Sequence, residues 1–242
     1  MPNRIADISA QKAARVAGVG YLIIIIAGIF AELFVRSKLI VPGDAATTAN
    51  NIMASEWLFR ASIVSDLVML VCDVLVALAL YVLLMPVNKN LALLATFFRL
   101  VHTAIYGITL LNLSFVLLLL SGVDYLAVFN SDQLHALVLL FLNAHGYGYI
   151  IGLVFFGLHC LVLGYLVFKS GYFPRVLGIL LIAASIGYLI DSFARFILPN
   201  YSDYESIFLL IVAVPAIIGE LSFCLWLLLK GINAQQWDNR VG

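Results

Sequence analysis

This sequence carries very little charge for its length. Of its 242 residues, 11% are charged, with 13 Lys and Arg balanced by 13 Asp and Glu. Soluble domains carry about 25% charged residues, so the composition excludes an ordinary soluble protein and predicts one that resides in lipid. The zero net charge also argues against a nucleic-acid partner, because no basic excess is present to neutralise phosphates.

Cysteine and the familiar catalytic motifs are scarce as well. The three cysteines, Cys72, Cys160 and Cys224, each lie inside an apolar run and outside any CxxC pair, which predicts buried thiols rather than disulfides. The chain contains no P-loop or GxGxxG, so ATP-driven and nicotinamide chemistry are disfavoured. It also lacks GxSxG and HExxH, the patterns of nucleophilic and zinc hydrolases. No cofactor is identified, and whether the protein is an enzyme stays open.

What the chain has instead is apolar sequence, at 64% of its residues. Six apolar stretches are near or above the roughly 20 residues that a helix needs to cross a bilayer. We therefore predict an all-α, single-domain protein over residues 1–242, a bundle of six transmembrane helices. The spans are expected at about 13–35, 57–85, 91–120, 145–168, 174–198 and 205–230.

The connections predict the orientation of these spans. Under the positive-inside rule, the side with the Lys and Arg residues is cytoplasmic. One side collects Arg4, Lys12, Arg15, Lys89, Lys169, Arg175, Lys230 and Arg240, whereas the opposite connections are mainly acidic. Both termini should therefore lie in the cytoplasm, with membrane lipid as the surrounding partner. The short connection at 87–90 makes spans two and three antiparallel neighbours.

The fourth span carries an unusual pattern. Its apolar sequence, from Gln133 to Phe168, is too long for one ordinary span. A cluster of Asn, His and Gly at residues 143–148 (NAHGYG) interrupts it. The cluster predicts a break or kink, after which the transmembrane part begins. Gly148 and Gly152 form a small-xxx-small pair, which permits close approach of another helix.

Several ionisable residues fall inside the predicted spans. Span two carries Asp66 and Asp73, which seven residues at about 100° each place on one helix face. A charge at the centre of a bilayer costs roughly 2.5–3.5 kcal/mol on insertion scales, so these carboxylates need partners. Span three carries a polar stripe at spacings of three and four, formed by Arg99, His102, Tyr106 and Thr109.

Counting the helical rise from the cytoplasmic ends predicts an inner layer of five residues. They lie roughly 12–18 Å from those ends and are Asp73, Arg99, His102, His159 and Glu220. Asp73 and Arg99 are expected to pair. The layer is either a satisfied structural network or, by the usual rule for intramembrane charge, a substrate, ion or proton site. His102, His159, Asp73 and Glu220 are also weak candidates for Zn²⁺ ligands, although no metal is assigned.

A second, outer layer is predicted near the opposite surface, formed by Glu32, Arg36, Arg60, Asp66, His145, Asp191 and Arg195. Two of its pairs, Glu32–Arg36 and Asp191–Arg195, are four residues apart and can bond along a helix. The layer is either an interfacial ion-pair network, with arginines snorkelling to the headgroups, or a vestibule that selects polar headgroups.

Four strings resemble a family of bacterial integral membrane proteins known only as a domain of unknown function. They are 28–33 (GIFAEL), 39–45 (LIVPGDA), 172–178 (YFPRVLG) and 226–231 (WLLLKG). The resemblance covers nearly the whole chain. It implies a small polytopic protein of the bacterial cytoplasmic membrane, and it implies nothing about substrate or site residues.

Three functional hypotheses follow. The leading one is binding or translocation of a small ligand, lipid or proton at the inner layer. The second is an intramembrane metal-dependent hydrolase acting on lipid or another apolar substrate. The third is a structural or accessory membrane protein whose polar groups only fix helix packing.

Overall fold

The computed structural model describes residues 10–241. Residues 1–9, including the predicted cytoplasmic Arg4, and Gly242 lie outside the described residues. Within the described part there are eight α-helices and no strand. The helices are α1 (Ala10–Leu39), α2 (Ala45–Ala54), α3 (Glu56–Leu84), α4 (Lys89–Leu119), α5 (Ser131–Ser170), α6 (Arg175–Ile197), α7 (Glu205–Leu229) and α8 (Ala234–Val241).

Six of these helices are long and apolar enough to cross a membrane: α1, α3, α4, α5, α6 and α7, the last extended at its start by a short 3₁₀ turn at Tyr201–Tyr204. The predicted all-α class and the six transmembrane helices are therefore confirmed. Predicted boundaries for five of the spans agree to within about four residues. The cytoplasmic location of both termini stays a prediction.

The contacts divide the chain into two compact units. Unit 1 comprises Met1–Leu22, Cys72–Thr103 and Ile151–Gly242, and unit 2 comprises Ile23–Val71 and Ala104–Ile150. Helices α1, α3, α4 and α5 each contribute a segment to both units, whereas α6, α7 and α8 belong to unit 1 and α2 to unit 2. Organisation as a single domain stays a prediction.

A break at residues 143–148 is wrong, whereas a kink there, the other alternative, stays a prediction. Helix α5 runs without interruption through 40 residues, Ser131–Ser170. In hydrocarbon every backbone N–H needs an internal partner, so a helix is favoured there even over glycine. The glycine at the end of the cluster and the one that follows it pack against different side chains. Gly148 lies against the Thr109 side chain in unit 2, and Gly152 lies against His102 in unit 1.

The connection after α1 contains a glycine turn and a helix cap. Gly43 has a φ of +78°, a left-handed conformation that glycine adopts without strain. The Asp44 carboxylate then accepts a hydrogen bond of 2.9 Å from the Thr47 backbone N–H, at the start of α2. The hydroxyl and backbone N–H of Thr47 lower the pKa of Asp44, because both bonds favour the charged carboxylate.

Side chains in unit 1 satisfy backbone carbonyls at helix ends. Tyr172 and Trp237 both donate to the Leu83 carbonyl near the end of α3, at 2.6 and 3.1 Å. Arg15 donates to the Leu229 carbonyl at the end of α7, at 3.3 Å. These bonds satisfy carbonyls in the last turns of helices. Burial raises the pKa of the Tyr172 phenol above its ordinary value.

Two helices in unit 1, α5 and α6, approach each other closely at a pair of glycines. A Cβ atom placed on Gly164 of α5 would lie 2.7 Å from the Gly178 carbonyl of α6, and one placed on Gly178 would lie 2.5 Å from the Gly164 carbonyl. The contact therefore joins backbone to backbone, and no side chain can rotate away to make room. Small residues permit this close packing of helices where lipid supplies no hydrophobic drive to associate.

Candidate functional site

The centre of unit 1 is an ion pair between α3 and α4. Arg99 donates to Asp73 over 2.5 Å, and the two residues are 0% and 5% exposed. Thr103, one turn after Arg99, donates its hydroxyl to the other carboxylate oxygen of Asp73. The predicted pairing of Asp73 with Arg99 is confirmed. A buried pair of this kind depends on such additional hydrogen bonds, because desolvation opposes it.

Helices α1 and α5 complete the environment of the guanidinium. The Tyr21 hydroxyl accepts a hydrogen bond from Arg99 Nη1 over 2.8 Å. The rings of Tyr21 and Phe156 lie against the Arg99 guanidinium carbon, with centroids 4.7 and 5.5 Å away. Arg99 Nε makes no hydrogen bond to any described residue. The guanidinium is thus enclosed by protein on several sides, with little room for an added anion.

His159 of α5 is neutral in this arrangement. Its Nδ1 lies 2.8 Å from the Ala95 carbonyl oxygen, which only accepts hydrogen bonds, so Nδ1 carries the proton. Its Nε2 lies 3.1 Å from Arg99 Nη1, which only donates, so Nε2 is the acceptor. This tautomer is assigned from the partners. Both ring nitrogens are therefore occupied.

His102 joins the same region through aromatic packing. Its ring centroid lies 5.0 Å from that of Phe156, which in turn lies 5.9 Å from the His159 ring. On the other side, the Phe156 ring contacts Tyr188 of α6 edge-on at 5.4 Å. Phe156 therefore contacts two predicted site histidines, His102 and His159. It also contacts α6, the helix whose Tyr188 bonds to the fifth predicted residue.

That fifth residue, Glu220 of α7, bonds to Tyr188. The Tyr188 hydroxyl donates to the Glu220 carboxyl group over 2.5 Å, and Glu220 is half-buried. Among the described residues, Glu220 forms no ion pair. The structure therefore brings Asp73, Arg99 and His159 into direct contact. His102 is linked to them through Phe156, and Glu220 is linked through Tyr188 and then Phe156.

Predicted outer residues form a second buried cluster, in unit 2. Arg36 donates to both carboxylate oxygens of Asp66, at 2.6 and 3.3 Å. Its Nε donates to Glu32 at 2.8 Å, which confirms that predicted pair. The Tyr106 hydroxyl donates to Asp66 at 2.9 Å. Arg36 closes a π-helical segment of α1, Phe30–Arg36, a type of turn often found at functional sites.

The remaining outer residues do not share these bonds. His145 lies 3.2 Å from the Thr109 carbonyl oxygen through Nδ1, and its ring contacts Tyr106. Arg60 pairs with Glu56 on the surface of α3, since the two residues are four apart on one helix face. In unit 1, Asp191 pairs with Arg195 at 3.5 Å, as predicted. The residues of the predicted outer layer therefore form separate groups, of which the Asp191–Arg195 pair lies in unit 1 and the others lie in unit 2.

Metal binding receives no support from this geometry. Among residues 10–241, no group of three or more His, Cys, Asp and Glu side chains is arranged to hold a metal ion. Asp73 is engaged by Arg99, and the two nitrogens of His159 face other partners. The four weak candidates for zinc ligands are therefore not assembled, and metal-dependent hydrolysis has no observation in its favour.

Sequence reasoning assigned several residues that complete the two clusters to neither layer. Tyr21, Thr103 and Phe156 lie around the Asp73–Arg99 pair, and Tyr106 bonds to Asp66. Tyr106 belongs to the polar stripe predicted on span three, and Thr103 carried a usable signal because it follows Arg99 by one helical turn. Tyr and Phe are common on transmembrane helices, so their types alone do not distinguish site residues from packing residues.

Comparison with known proteins gives a family match over most of the chain. The family model described as "Domain of unknown function (DUF4386)" matches residues 16–231. A protein of Archaeoglobus fulgidus described as "Uncharacterized protein" is 35% identical over 170 residues, which cover 70% of this chain and 83% of the relative. No solved structure matches the chain. The resemblance predicted from the sequence is confirmed, and the chain belongs to the family described as Domain of unknown function (DUF4386).

Proposed function

We propose that this protein binds and releases a proton at Glu220, alone or together with a small ligand that it binds or carries across the membrane. We place it in a bacterial cytoplasmic membrane as a multi-pass protein with both termini inside. The observation that supports proton binding is the contrast between the two acidic residues of the predicted inner layer. Asp73 is ion-paired, whereas Glu220 has a phenol as its hydrogen-bond partner.

This contrast bears directly on proton exchange. Protonating Asp73 would leave the buried Arg99 charge without its counter-ion, and removing one partner of a buried pair costs roughly 3–5 kcal/mol. Protonating Glu220 breaks no ion pair, and one of its oxygens still accepts the bond from Tyr188. Of these two inner-layer carboxyl groups, Glu220 is therefore the one that changes its charge with less disruption of the fold.

A change of charge at Glu220 would act on several neighbouring side chains. Tyr188 of α6 contacts it directly, and Tyr21, Asp73, Arg99 and Cys160 lie close enough to interact electrostatically. These groups come from α1, α3, α4 and α5, so a change of charge at Glu220 alters the field at each of them. In this proposal the Asp73–Arg99 pair keeps its charges, and Glu220 is the group that binds and releases the proton.

The test is proton movement in proteoliposomes that contain the full chain and an internal pH-sensitive dye. Under a potassium diffusion potential, the protein should acidify the vesicles faster than protein-free vesicles do. Glu220→Gln should reduce that rate to the protein-free level. The matched control is Glu56→Gln, which changes an exposed carboxyl of α3 in the same way and should leave the rate unchanged.

A second measurement covers transport that needs an unidentified ligand. Dicyclohexylcarbodiimide is an apolar reagent that modifies protonated carboxyl groups within membranes. It should add one label to the protein, and Glu220→Gln should abolish that label. A protein that neither moves protons nor takes up the label at Glu220 would contradict the proposal and favour a purely structural role for the cluster.

A further inference from the structure

A second candidate site lies between α6 and α7, and it is independent of proton binding at Glu220. An apolar groove of about 450 Å³ runs between these helices. Its walls include Ile190, Phe193 and Ile197 of α6 and Phe208 of α7. Phe193 and Ile197 are 52% and 71% exposed, so the groove is open to the surrounding medium. In a helix that spans a membrane, that medium is lipid.

A charged group adjoins the groove through a stack of rings. The Arg195 guanidinium carbon lies 4.5 Å from the Tyr201 ring centroid. Tyr201 in turn stacks on Phe208, with centroids 5.1 Å apart and planes 17° apart, and Phe208 is part of the groove wall. The Tyr201 hydroxyl donates to Asp191. The cationic and apolar parts of the site therefore form one continuous surface.

Arg195 is held more loosely than the two arginines of the buried clusters. Its contacts with Asp191 and Glu205 are 3.5 and 3.6 Å long, whereas Arg99 and Arg36 reach their carboxylates at 2.5 and 2.6 Å. Arg195 Nε is enclosed and makes no hydrogen bond to any described residue. A guanidinium in this state retains donors for a phosphate, which it binds with a planar fork.

We propose that this groove binds a phospholipid with an ethanolamine headgroup, taken from the surrounding bilayer. One acyl chain lies against Phe193 and Phe208, the phosphate accepts hydrogen bonds from Arg195, and the ammonium donates to Glu205. Glu205 is well placed for this role because its side chain is 60% exposed. Tyr201 lies beyond the end of α6, where tyrosines are enriched at membrane interfaces and where a headgroup would sit.

The charges of the site favour this headgroup over two others. One arginine and two carboxylates, Asp191 and Glu205, give the group a net charge of −1 by simple addition. An ethanolamine phospholipid is neutral overall and leaves that sum unchanged, whereas a glycerol headgroup adds a further negative charge. A choline headgroup is also neutral, but its quaternary nitrogen has no hydrogen to donate to Glu205.

Native mass spectrometry of the purified full chain tests the proposal. Palmitoyl-oleoyl lipids with ethanolamine, choline or glycerol headgroups are titrated separately into the protein in detergent. The ethanolamine lipid should form a one-to-one adduct with an apparent Kd about tenfold below the other two, which corresponds to about 1.4 kcal/mol. Equal binding of the three, as expected for annular lipid only, or a preference for the glycerol lipid would overturn the proposal.

Variants assign the contacts. Arg195→Gln should weaken the ethanolamine adduct about tenfold, whereas Arg175→Gln, at an exposed position at the opposite end of α6, should not change it. Glu205→Gln should remove the preference for ethanolamine over choline. If Arg195→Gln fails to fold, Ala194→Phe, which fills the groove, should weaken all three adducts. An ethanolamine adduct that neither Arg195→Gln nor Ala194→Phe weakens would contradict the site.

Discussion

At the scale of single residues, the charged side chains differ in how fully their charges are matched. Arg36, Asp66, Arg99 and Asp73 are ion-paired and at most 5% exposed. Glu220 and Arg195 are less tightly bound, through a phenol in one case and through contacts of 3.5 Å or more in the other. The paired residues define the fold, and the loosely held ones are the residues to which we assign function.

Replacing Asp73 with Asn should destabilise the protein strongly. The amide leaves the Arg99 charge buried without a counter-ion, a change that costs roughly 3–5 kcal/mol. In a chain of this size such a loss lowers the Tm by on the order of 10 °C. Thermal unfolding in detergent, followed by intrinsic tryptophan fluorescence, measures the change.

Asp132→Asn makes the same chemical change at an exposed position in the first turn of α5. Its effect should stay below about 1 kcal/mol, the usual limit for an exposed charge near a helix N-terminus. Equal destabilisation by the two substitutions would show that the Asp73–Arg99 pair contributes no more than a surface charge.

The Asp73–Arg99 pair was predictable for a simple reason. The two residues lie on consecutive helices joined by a short connection, so counting the rise per residue from either end places them at similar heights. The same counting does not reveal side-chain direction at finer scale. It placed Glu220 in one layer with Arg99 but did not reveal that the hydrogen-bond partner of Glu220 is Tyr188 of α6.

At the scale of helices, the structural effect of a glycine depends on the residues that face it. Sequence pattern predicted a break where α5 has glycines, but the helix continues because hydrocarbon offers its backbone no other partner. Whether a glycine ends a helix, permits a crossing or does neither depends on what faces it. That is a property of the tertiary contacts and is not encoded in the local string.

Two glycines of α5 offer a direct comparison. Gly164→Ala should destabilise the protein by roughly 1–3 kcal/mol, because the added methyl group overpacks a backbone contact with α6. Gly146→Ala should be neutral or stabilising by up to about 1 kcal/mol, because no atom lies within 4 Å of its Cβ position and alanine favours the helix. Thermal unfolding in detergent distinguishes them, and equal effects would contradict the close crossing.

Helix α2 should depend on pH through its cap. The pKa of Asp44 is lowered in the folded protein by its bonds to Thr47. A lowered pKa means that the cap contributes its stability above the ordinary aspartate pKa of about 3.9 and loses it as the pH falls through the folded value. Amides of α2 should then lose protection from hydrogen exchange, after correction for the intrinsic rate.

Asp44→Asn retains a capping side chain but removes its charge. In this variant the hydrogen-exchange protection of the α2 amides should be nearly independent of pH in the same range. Asp44→Ala removes the cap altogether and should lower protection of α2 at every pH. A wild-type protein whose α2 protection does not change as Asp44 is protonated would show that the carboxylate charge does not stabilise this helix.

At the scale of the whole molecule, topology follows from the number of spans. Six crossings would place both ends of the described chain on one side of the membrane, and the positive-inside rule predicts that this side is the cytoplasm. Composition and hydropathy determine this level well, since each span requires about 20 apolar residues. The division into two compact units was not predictable, because it depends on which segments of the long helices contact one another.

Single-cysteine labelling tests the topology with little background, because Cys72, Cys160 and Cys224 are buried. In intact cells, a membrane-impermeant maleimide should label Asp124→Cys, in the connection between α4 and α5, where the acidic side is predicted to be external. Lys89→Cys, at the start of α4, should react only after the membrane is permeabilised. Because α4 separates these two positions, they must react from opposite sides if that helix spans the bilayer. Labelling of both in intact cells would contradict the crossing, and the reverse pattern would place both termini outside.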